Sequence, residues 1–154
     1  MSYAVFVGKN RTASGHAFLA GYGDEPSSHW LEIVPRAHHD PGAQIEVGVT
    51  PDAVMPGVRS PIPQASETAR HLRVSYSYFL GNPAPLTNGG LNEHGVAVRD
   101  VWSPSSDRLN ALTPLDQQGP NYSDLARVVL ERARSAREGV ELIGELVERY
   151  GESS

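Results

Sequence analysis

Ser2 combines in one residue two groups that could break an amide bond. The cell's aminopeptidase normally removes an initial methionine that precedes a small residue, which would expose the α-amine of Ser2 beside its own hydroxyl. An α-amine has a pKa of about 8, so it can act as general base toward that hydroxyl without a histidine. Because most chains that begin Met-Ser do so for no catalytic reason, Ser2 is a hypothesis that needs support from other residues.

Other motifs that could carry chemistry are weak or absent. His38 and His39 precede Asp40 on a predicted loop, but adjacent side chains on an extended chain point in opposite directions, and no third ligand is suitably spaced. We therefore expect no metal site and no cofactor. Gly8-Lys9 lacks the Gly-x-x-x-x-Gly-Lys frame of a phosphate loop, and the Gly-x-Ser-x-Gly pattern of a nucleophile elbow is absent.

The glycine-rich stretch 88–98 predicts a β-hairpin. Residues 92–95 form a polar turn with Asn and Gly at its ends, and Val96 and Val98 then alternate with smaller neighbours, which is typical of a half-buried strand. The adjacent glycines at 89–90 weaken a strand, and they usually mark a bulge or the close approach of a ligand or another backbone. A tight hairpin without chemistry is the alternative interpretation.

Hydrophobic periodicity predicts strands first and two helices last. The predicted strands cover 3–7, 16–22, 30–35, 43–47, 72–79 and 88–102, and the segments 48–67 and 103–120 are predicted loops. One helix is expected over 122–134 and a second from the capping-box pattern of Ser135 and Glu138 to Gly151. This order predicts an α+β fold, a single domain over 1–154, with helices on one face of a mostly antiparallel sheet.

Composition excludes several classes of function. The formal net charge is −5, so nothing suggests nucleic acid as a partner, and the absence of cysteine rules out disulfides and thiolate metal sites. No stretch is long and apolar enough to predict a membrane span, and the N-terminus carries no basic leader. A cytoplasmic location is the resulting expectation.

The order of motifs resembles the dipeptidase A and secernin family of N-terminal nucleophile (Ntn) hydrolases. Val7-Gly8-Lys9 matches the family pattern, and Ser2 falls at the place of the nucleophilic cysteine. Asp24 falls on the family's acid, whereas Gly21 stands where the family has an arginine that anchors a carboxylate or the nucleophile. The other matching segments are 12–15, 30–35, 89–98 and 119–151. The resemblance covers nearly all of this chain but only about the first third of a family member.

This resemblance implies a four-layer αββα sandwich, of which the chain is the N-terminal part, and hydrolysis of small peptide or amide bonds. Ser2 would attack the carbonyl, and Asp24 would orient its amine or bind the amino group of the substrate. Main-chain N–H groups of the hairpin, or the side chain of Asn88 or Asn92, would stabilise the oxyanion. The residues implied to line the substrate pocket are Arg99, Asp100 and Trp102.

Three hypotheses follow from the sequence. In the first, the chain is an amide or peptide hydrolase with Ser2 as nucleophile. In the second, it is the α-subunit of an enzyme that cuts itself after Ser154, with the true nucleophile beginning a companion chain. In the third, it is a binding domain that keeps only the fold. A single layer of helices would leave one sheet face uncovered, so we expect a companion chain or an oligomer.

Overall fold

The fold is α+β with mostly antiparallel pairing, as the sequence predicts. A computed structural model of the chain describes residues 2–23, 27–101 and 105–153. Its strands are β1 (Tyr3–Val7), β2 (Phe18–Tyr22), β3 (His29–Val34), β4 (Ala37–His38), β5 (Gln44–Val47), β6 (Ser60–Pro63), β7 (Glu67–Thr68), β8 (His71–Tyr76), β9 (Thr87–Asn92) and β10 (Ala97–Arg99). Its helices are α1 (Asp107–Asn110), α2 (Tyr122–Arg132) and α3 (Ala136–Tyr150).

The central sheet has four antiparallel strands in the order β10-β9-β8-β3. Because side chains alternate along a strand, one face of this sheet carries Asn92 and Val98 and packs against α2. The opposite face carries aliphatic side chains that stay open: Leu31 is 72% exposed and Ile33 71%. Among the described residues, helices therefore cover one face of this sheet only.

Helix α2 joins the two parts of the core. Val128 packs with Val47, Ile62 and Leu146, so it connects the β5–β6 pair to α3. The next residue, Val129, packs with Val96 and Ala133 under the central sheet. Neighbouring positions on one helix thus face two different layers, which places α2 between them. No helix within the described part of the chain is long and apolar enough to cross a membrane.

The N-terminal hairpin forms a separate two-stranded sheet beside β10. Strands β1 and β2 pair from Tyr3 opposite Tyr22 to Val7 opposite Phe18, as the sequence predicts. The rings of Tyr3 and Tyr22 stack with centroids 5.5 Å apart. Pairing of this kind fixes the start of the chain in a defined position, which free termini usually lack.

The predicted loop over 48–67 is wrong in part, because it contains β6 and the start of β7. The sequence of β6 is Ser-Pro-Ile-Pro, which on its own predicts irregular chain. Proline is tolerated in a strand that has a partner on one side only, since its missing N–H then points away from the ladder. Here β6 pairs with β5 alone, with Ile62 opposite Ile45. Helix α1 likewise lies in a segment that was predicted to be loop.

The capping box lies on the other helix from the one predicted. At Ser135, the hydroxyl accepts a hydrogen bond from the Glu138 N–H, but the Glu138 carboxylate accepts from the Arg134 N–H, so the reciprocal bond is missing. The complete box occurs at α2, where Asn121 and Asp124 bond to each other's backbone N–H groups. Asparagine followed by aspartate satisfies the same geometry as the Ser and Glu pattern.

Asp124 also ties α2 to the loop after β5, and it is the basis of a pH prediction. Its Oδ2 accepts hydrogen bonds from the N–H groups of Gly48 (2.7 Å) and Asn121 (3.1 Å). Burial raises the pKa of Asp124 above its usual value, and the two backbone hydrogen bonds only partly oppose this. The folded state therefore binds more protons than the unfolded state between the two pKa values, so the free energy of unfolding falls as pH rises through that range.

Asp124→Asn is expected to remove this pH dependence, because the amide oxygen can accept the same bonds and carries no charge. As pH rises above 3.8, the ordinary pKa of aspartate, wild type should lose stability relative to Asp124→Asn. The free energy of unfolding of the variant minus that of wild type should therefore increase with pH. Urea unfolding between pH 3.5 and pH 7 measures this difference. A difference that stays constant with pH would contradict the assignment.

Candidate active site

A cleft lies between the N-terminal hairpin and the open face of the central sheet. Its volume is about 510 Å³, which is within the range of small-molecule sites. Aliphatic residues form much of its lining: Leu19, Leu31, Leu72, Val74 and Leu91. The lining also includes the polar residues Tyr22, His29, Asn88 and Arg99. The glycine-rich strand β9 contributes Gly89 and Gly90 to the wall, so the predicted hairpin borders the cleft.

A β-bulge places Asn88 at the border of this cleft. In the pairing of β8 with β9, Val74 lies opposite Gly89 and Ser75 lies opposite Thr87, so Asn88 is the extra residue. Bulges reorient side chains and occur frequently beside functional sites. The Asn88 side chain is 3% exposed, and its Nδ2 donates hydrogen bonds to the Tyr76 hydroxyl and to Asp100 Oδ1, the latter at 2.5 Å.

Asp100 lies beneath the cleft and holds three polar side chains in place. Besides Asn88, it accepts a hydrogen bond from the Tyr76 hydroxyl at 3.1 Å and forms an ion pair with Arg99. Its side chain is 6% exposed and does not line the cleft. The sequence predicted Asp100 as a substrate-binding residue, whereas this geometry favours a role in positioning Asn88 and Arg99.

Arg99 lies in the cleft wall directly over Gly21. A Cβ atom added at position 21 would lie 2.2 Å from the Arg99 Nε, which no real structure allows. The Nη1 group donates a hydrogen bond to the Asn88 carbonyl at 2.7 Å. The space that a larger residue at position 21 would occupy is therefore filled by an arginine side chain from β10.

Ser2 immediately precedes the hairpin strand β1, and the partner strand of β1 borders the same cleft. Tyr3, the residue after Ser2, pairs with Tyr22, and both Tyr22 and Gly23 line the cleft. Ser2 is half-buried and is not itself one of the lining residues. Of the predicted site residues, Asn88 and Arg99 line the cleft. The predicted residues Asp24 and Trp102 lie outside the described residues.

Asn92, by contrast, faces α2 and not the cleft. Its Nδ2 donates to the carbonyls of Leu130 (3.2 Å) and Ala133 (2.7 Å) at the end of the helix. Its Oδ1 accepts from the N–H groups of His94 and Val96, both at 3.0 Å, and so closes the hairpin turn. With both amide protons committed to buried carbonyls, this geometry favours a structural role over the oxyanion role that the sequence suggested.

Asn92→Ala should therefore destabilise the fold. Four backbone groups would lose a buried partner, and we expect the free energy of unfolding to fall by about 3 kcal/mol. Urea unfolding measures the change, with Asn10→Ala at an exposed position as the matched control. If Asn92→Ala kept wild-type stability and lost hydrolytic activity, the oxyanion role would be favoured instead.

Comparison with known proteins identifies the family. Residues 52–154 match the pattern of peptidase family C69. This chain belongs to peptidase family C69. The resemblance to the dipeptidase A and secernin family is thereby confirmed. A curated relative, the "Probable dipeptidase" of Latilactobacillus sakei, is 25% identical over 159 residues, which cover 96% of this chain and 30% of the relative. The chain thus spans less than a third of the length of that relative.

The matched residues include the bulge, the hairpin and both long helices. Ser2 and the β1–β2 pair precede them. His38 and His39 do not line the cleft and have partners on β7. His38 Nδ1 lies 3.4 Å from the Glu67 carboxylate, and His39 Nε2 lies 3.2 Å from the Thr68 hydroxyl. Among the described residues, no group of three His, Cys, Asp or Glu side chains could hold a metal ion.

Sequence reasoning missed His29 in the cleft of the C69 chain. His29 begins β3, one residue earlier than the predicted strand, and lies opposite Tyr76. The two rings meet edge to face with centroids 5.0 Å apart. No local pattern marks His29, because only the pairing of β3 with β8 brings it to the cleft.

Proposed function

We propose that this chain is the N-terminal part of a peptidase that hydrolyses short peptides or other small amides with Ser2 as its nucleophile. The observation that supports the proposal is the register of the N-terminal hairpin, in which Tyr3, the residue after Ser2, pairs with Tyr22 in the lining of a cleft of substrate size. Membership of a peptidase family supports the reaction type. A serine hydroxyl beside its own α-amine supplies both the nucleophile and the base.

The proposed reaction has two steps. The Ser2 oxygen attacks the amide carbon while the α-amine takes the hydroxyl proton, and that proton passes to the nitrogen of the leaving amine as the C–N bond breaks. Water then attacks the resulting ester, with the same amine as base, and releases the acid and regenerated Ser2. Main-chain N–H groups of the bulge at Asn88 are the proposed oxyanion donors, since a bulge leaves ladder groups unpaired.

We also propose that further polypeptide covers the open face of the sheet. Leu31 and Ile33 are exposed on that face beside the cleft, and apolar patches of this kind mark interaction surfaces. The probable dipeptidase is roughly three times as long as this chain, so the same polypeptide, or a companion chain after cleavage, could supply a second layer and the missing cleft wall. An oligomer and a cytoplasmic location stay predictions.

Mass spectrometry of the purified protein, combined with a dipeptide hydrolysis assay, tests the proposal. Loss of Met1 together with hydrolysis of Leu-Leu is the expected result. A co-purifying C-terminal fragment with a new N-terminal nucleophile would support the self-cleaved α-subunit instead. An intact Met1 without hydrolysis would support a binding domain and contradict the proposed function.

A further inference from the structure

The Arg99 side chain occupies the space directly beside Gly21. A side chain at position 21 would collide with Nε, Cγ and Cδ of Arg99, at 2.2, 2.6 and 2.8 Å from its Cβ. The backbone at Gly21 has no positive φ, so torsion does not require glycine there. What glycine provides at position 21 is space, and the Arg99 side chain occupies that space.

One edge of the Arg99 guanidinium makes no hydrogen bond to the described residues. Arginine carries five N–H donors, and those that are used there belong to Nη1, which contacts the Asn88 carbonyl and the Asp100 carboxylate. Nε and Nη2 donate to no other described residue. Asp100 therefore fixes one edge of the guanidinium, and Nε and Nη2 are the donors that a ligand would use.

The chemistry of the cleft selects an anion with an apolar body. Among the described residues that line it, Arg99 is the one with a permanent charge, and none is acidic. The exposed aliphatic side chains of the wall, such as Leu31 and Leu91, provide contact area for the apolar body of a ligand. Two oxygens of a carboxylate match the guanidinium fork, and a carboxylate is the anion that the end of a peptide carries.

We propose that Arg99 binds the terminal carboxylate of a short peptide with apolar side chains, and that Gly21 is the residue that makes room for it. This inference rests on the proposed peptidase function and adds its substrate class. The peptide lies along the cleft with its carboxyl end at Arg99 and its scissile carbonyl toward Ser2.

Hydrolysis of Leu-Leu and of its C-terminal amide by the full polypeptide tests the inference. Wild type should prefer the free acid by about ten- to a hundredfold in kcat/KM, the range for charge-assisted hydrogen bonds. Arg99→Met should reduce this preference to about one, mainly by raising KM for the free acid. Equal kcat/KM for acid and amide in wild type would overturn the inference and leave the peptidase function standing.

Arg99→Met leaves Asp100 buried without its cation and could therefore misfold. A variant at position 21 tests the same inference while Arg99 and Asp100 are both retained. Gly21→Ala keeps both charges but displaces the guanidinium, so it should also lower the preference for the acid. Gly8→Ala is the matched control, because no atom lies within 4 Å of its added Cβ. The double variant Gly21→Arg, Arg99→Gly returns a guanidinium to the same space, so it should restore the preference for the free acid over the amide. The role of Gly21 would be contradicted if the double variant lacked this preference and Gly21→Ala kept it at the wild-type level.

A binding measurement separates failure of this inference from failure of the proposed function. Calorimetry with N-acetyl-leucine and N-acetyl-leucinamide reports binding without turnover. Binding selective for the acid and lost in Arg99→Met, without any dipeptide hydrolysis, would support the carboxylate site and refute the peptidase. Neither selective binding nor hydrolysis would refute both.

Discussion

Ser2→Ala is expected to lower dipeptide hydrolysis by about a thousandfold or more. Alanine is small enough that Met1 is still removed, so the variant keeps the α-amine and loses only the attacking oxygen. Loss of a nucleophile removes the covalent step outright, and effects of this size are typical when one is deleted. Turnover of Leu-Leu under saturating substrate, with the mass of the purified variant checked, measures the change.

Ser2→Cys is the matched control for this prediction. It keeps a nucleophile and the same α-amine, and a thiol is intrinsically the stronger nucleophile. We therefore expect Ser2→Cys to match or exceed wild-type turnover while Ser2→Ala loses it. Unchanged turnover in Ser2→Ala would remove Ser2 from the mechanism and would favour a nucleophile on a companion chain.

The structure confirms those elements whose signals are local. The N-terminal hairpin, the turn over 92–95 and the two long helices each carry their own periodicity and turn residues, and each appears close to its predicted bounds. The strands β4, β6 and β7 were missed because their residues have weak strand preference. They are stabilised by pairing with β5 and with each other, and pairing between distant segments leaves no local pattern.

In the candidate site, too, residues in local motifs could be predicted and contacts between distant segments could not. Ser2, Asn88 and Arg99 could be singled out from the sequence because they stand in or beside recognisable motifs. In the structure Asn88 and Arg99 line one cleft, whereas the role of Ser2 stays a prediction. The contact between Gly21 and Arg99 could not be predicted from the sequence, where Gly21 indicates only that the family's arginine is absent. Steric fit across two strands of different sheets is a property of the packed molecule.

The two glycines of the hairpin show why the sequence left their role open. Glycine pairs mark either ligand approach or backbone approach, and both lie beside the cleft. Their nearest atoms, however, belong to the neighbouring strands. A Cβ at Gly89 would lie 2.5 Å from the Val98 carbonyl oxygen, and one at Gly90 would lie 2.0 Å from the Leu72 carbonyl oxygen. Close packing of β9 between β8 and β10 therefore accounts for both glycines.

Gly90→Ala should consequently be among the most damaging single-methyl additions in the chain. The new Cβ would meet the Leu72 carbonyl on one side and the Leu130 side chain, at 2.9 Å, on the other. Backbone cannot yield as a flexible side chain can, so β8 and β9 must separate, and we expect the free energy of unfolding to fall by about 3 kcal/mol or more. Gly144→Ala, whose added Cβ meets no atom within 4 Å, should instead leave stability unchanged or raise it by about 1 kcal/mol. Urea unfolding measures the stability of both variants, and equal stabilities would contradict the packing role of Gly90.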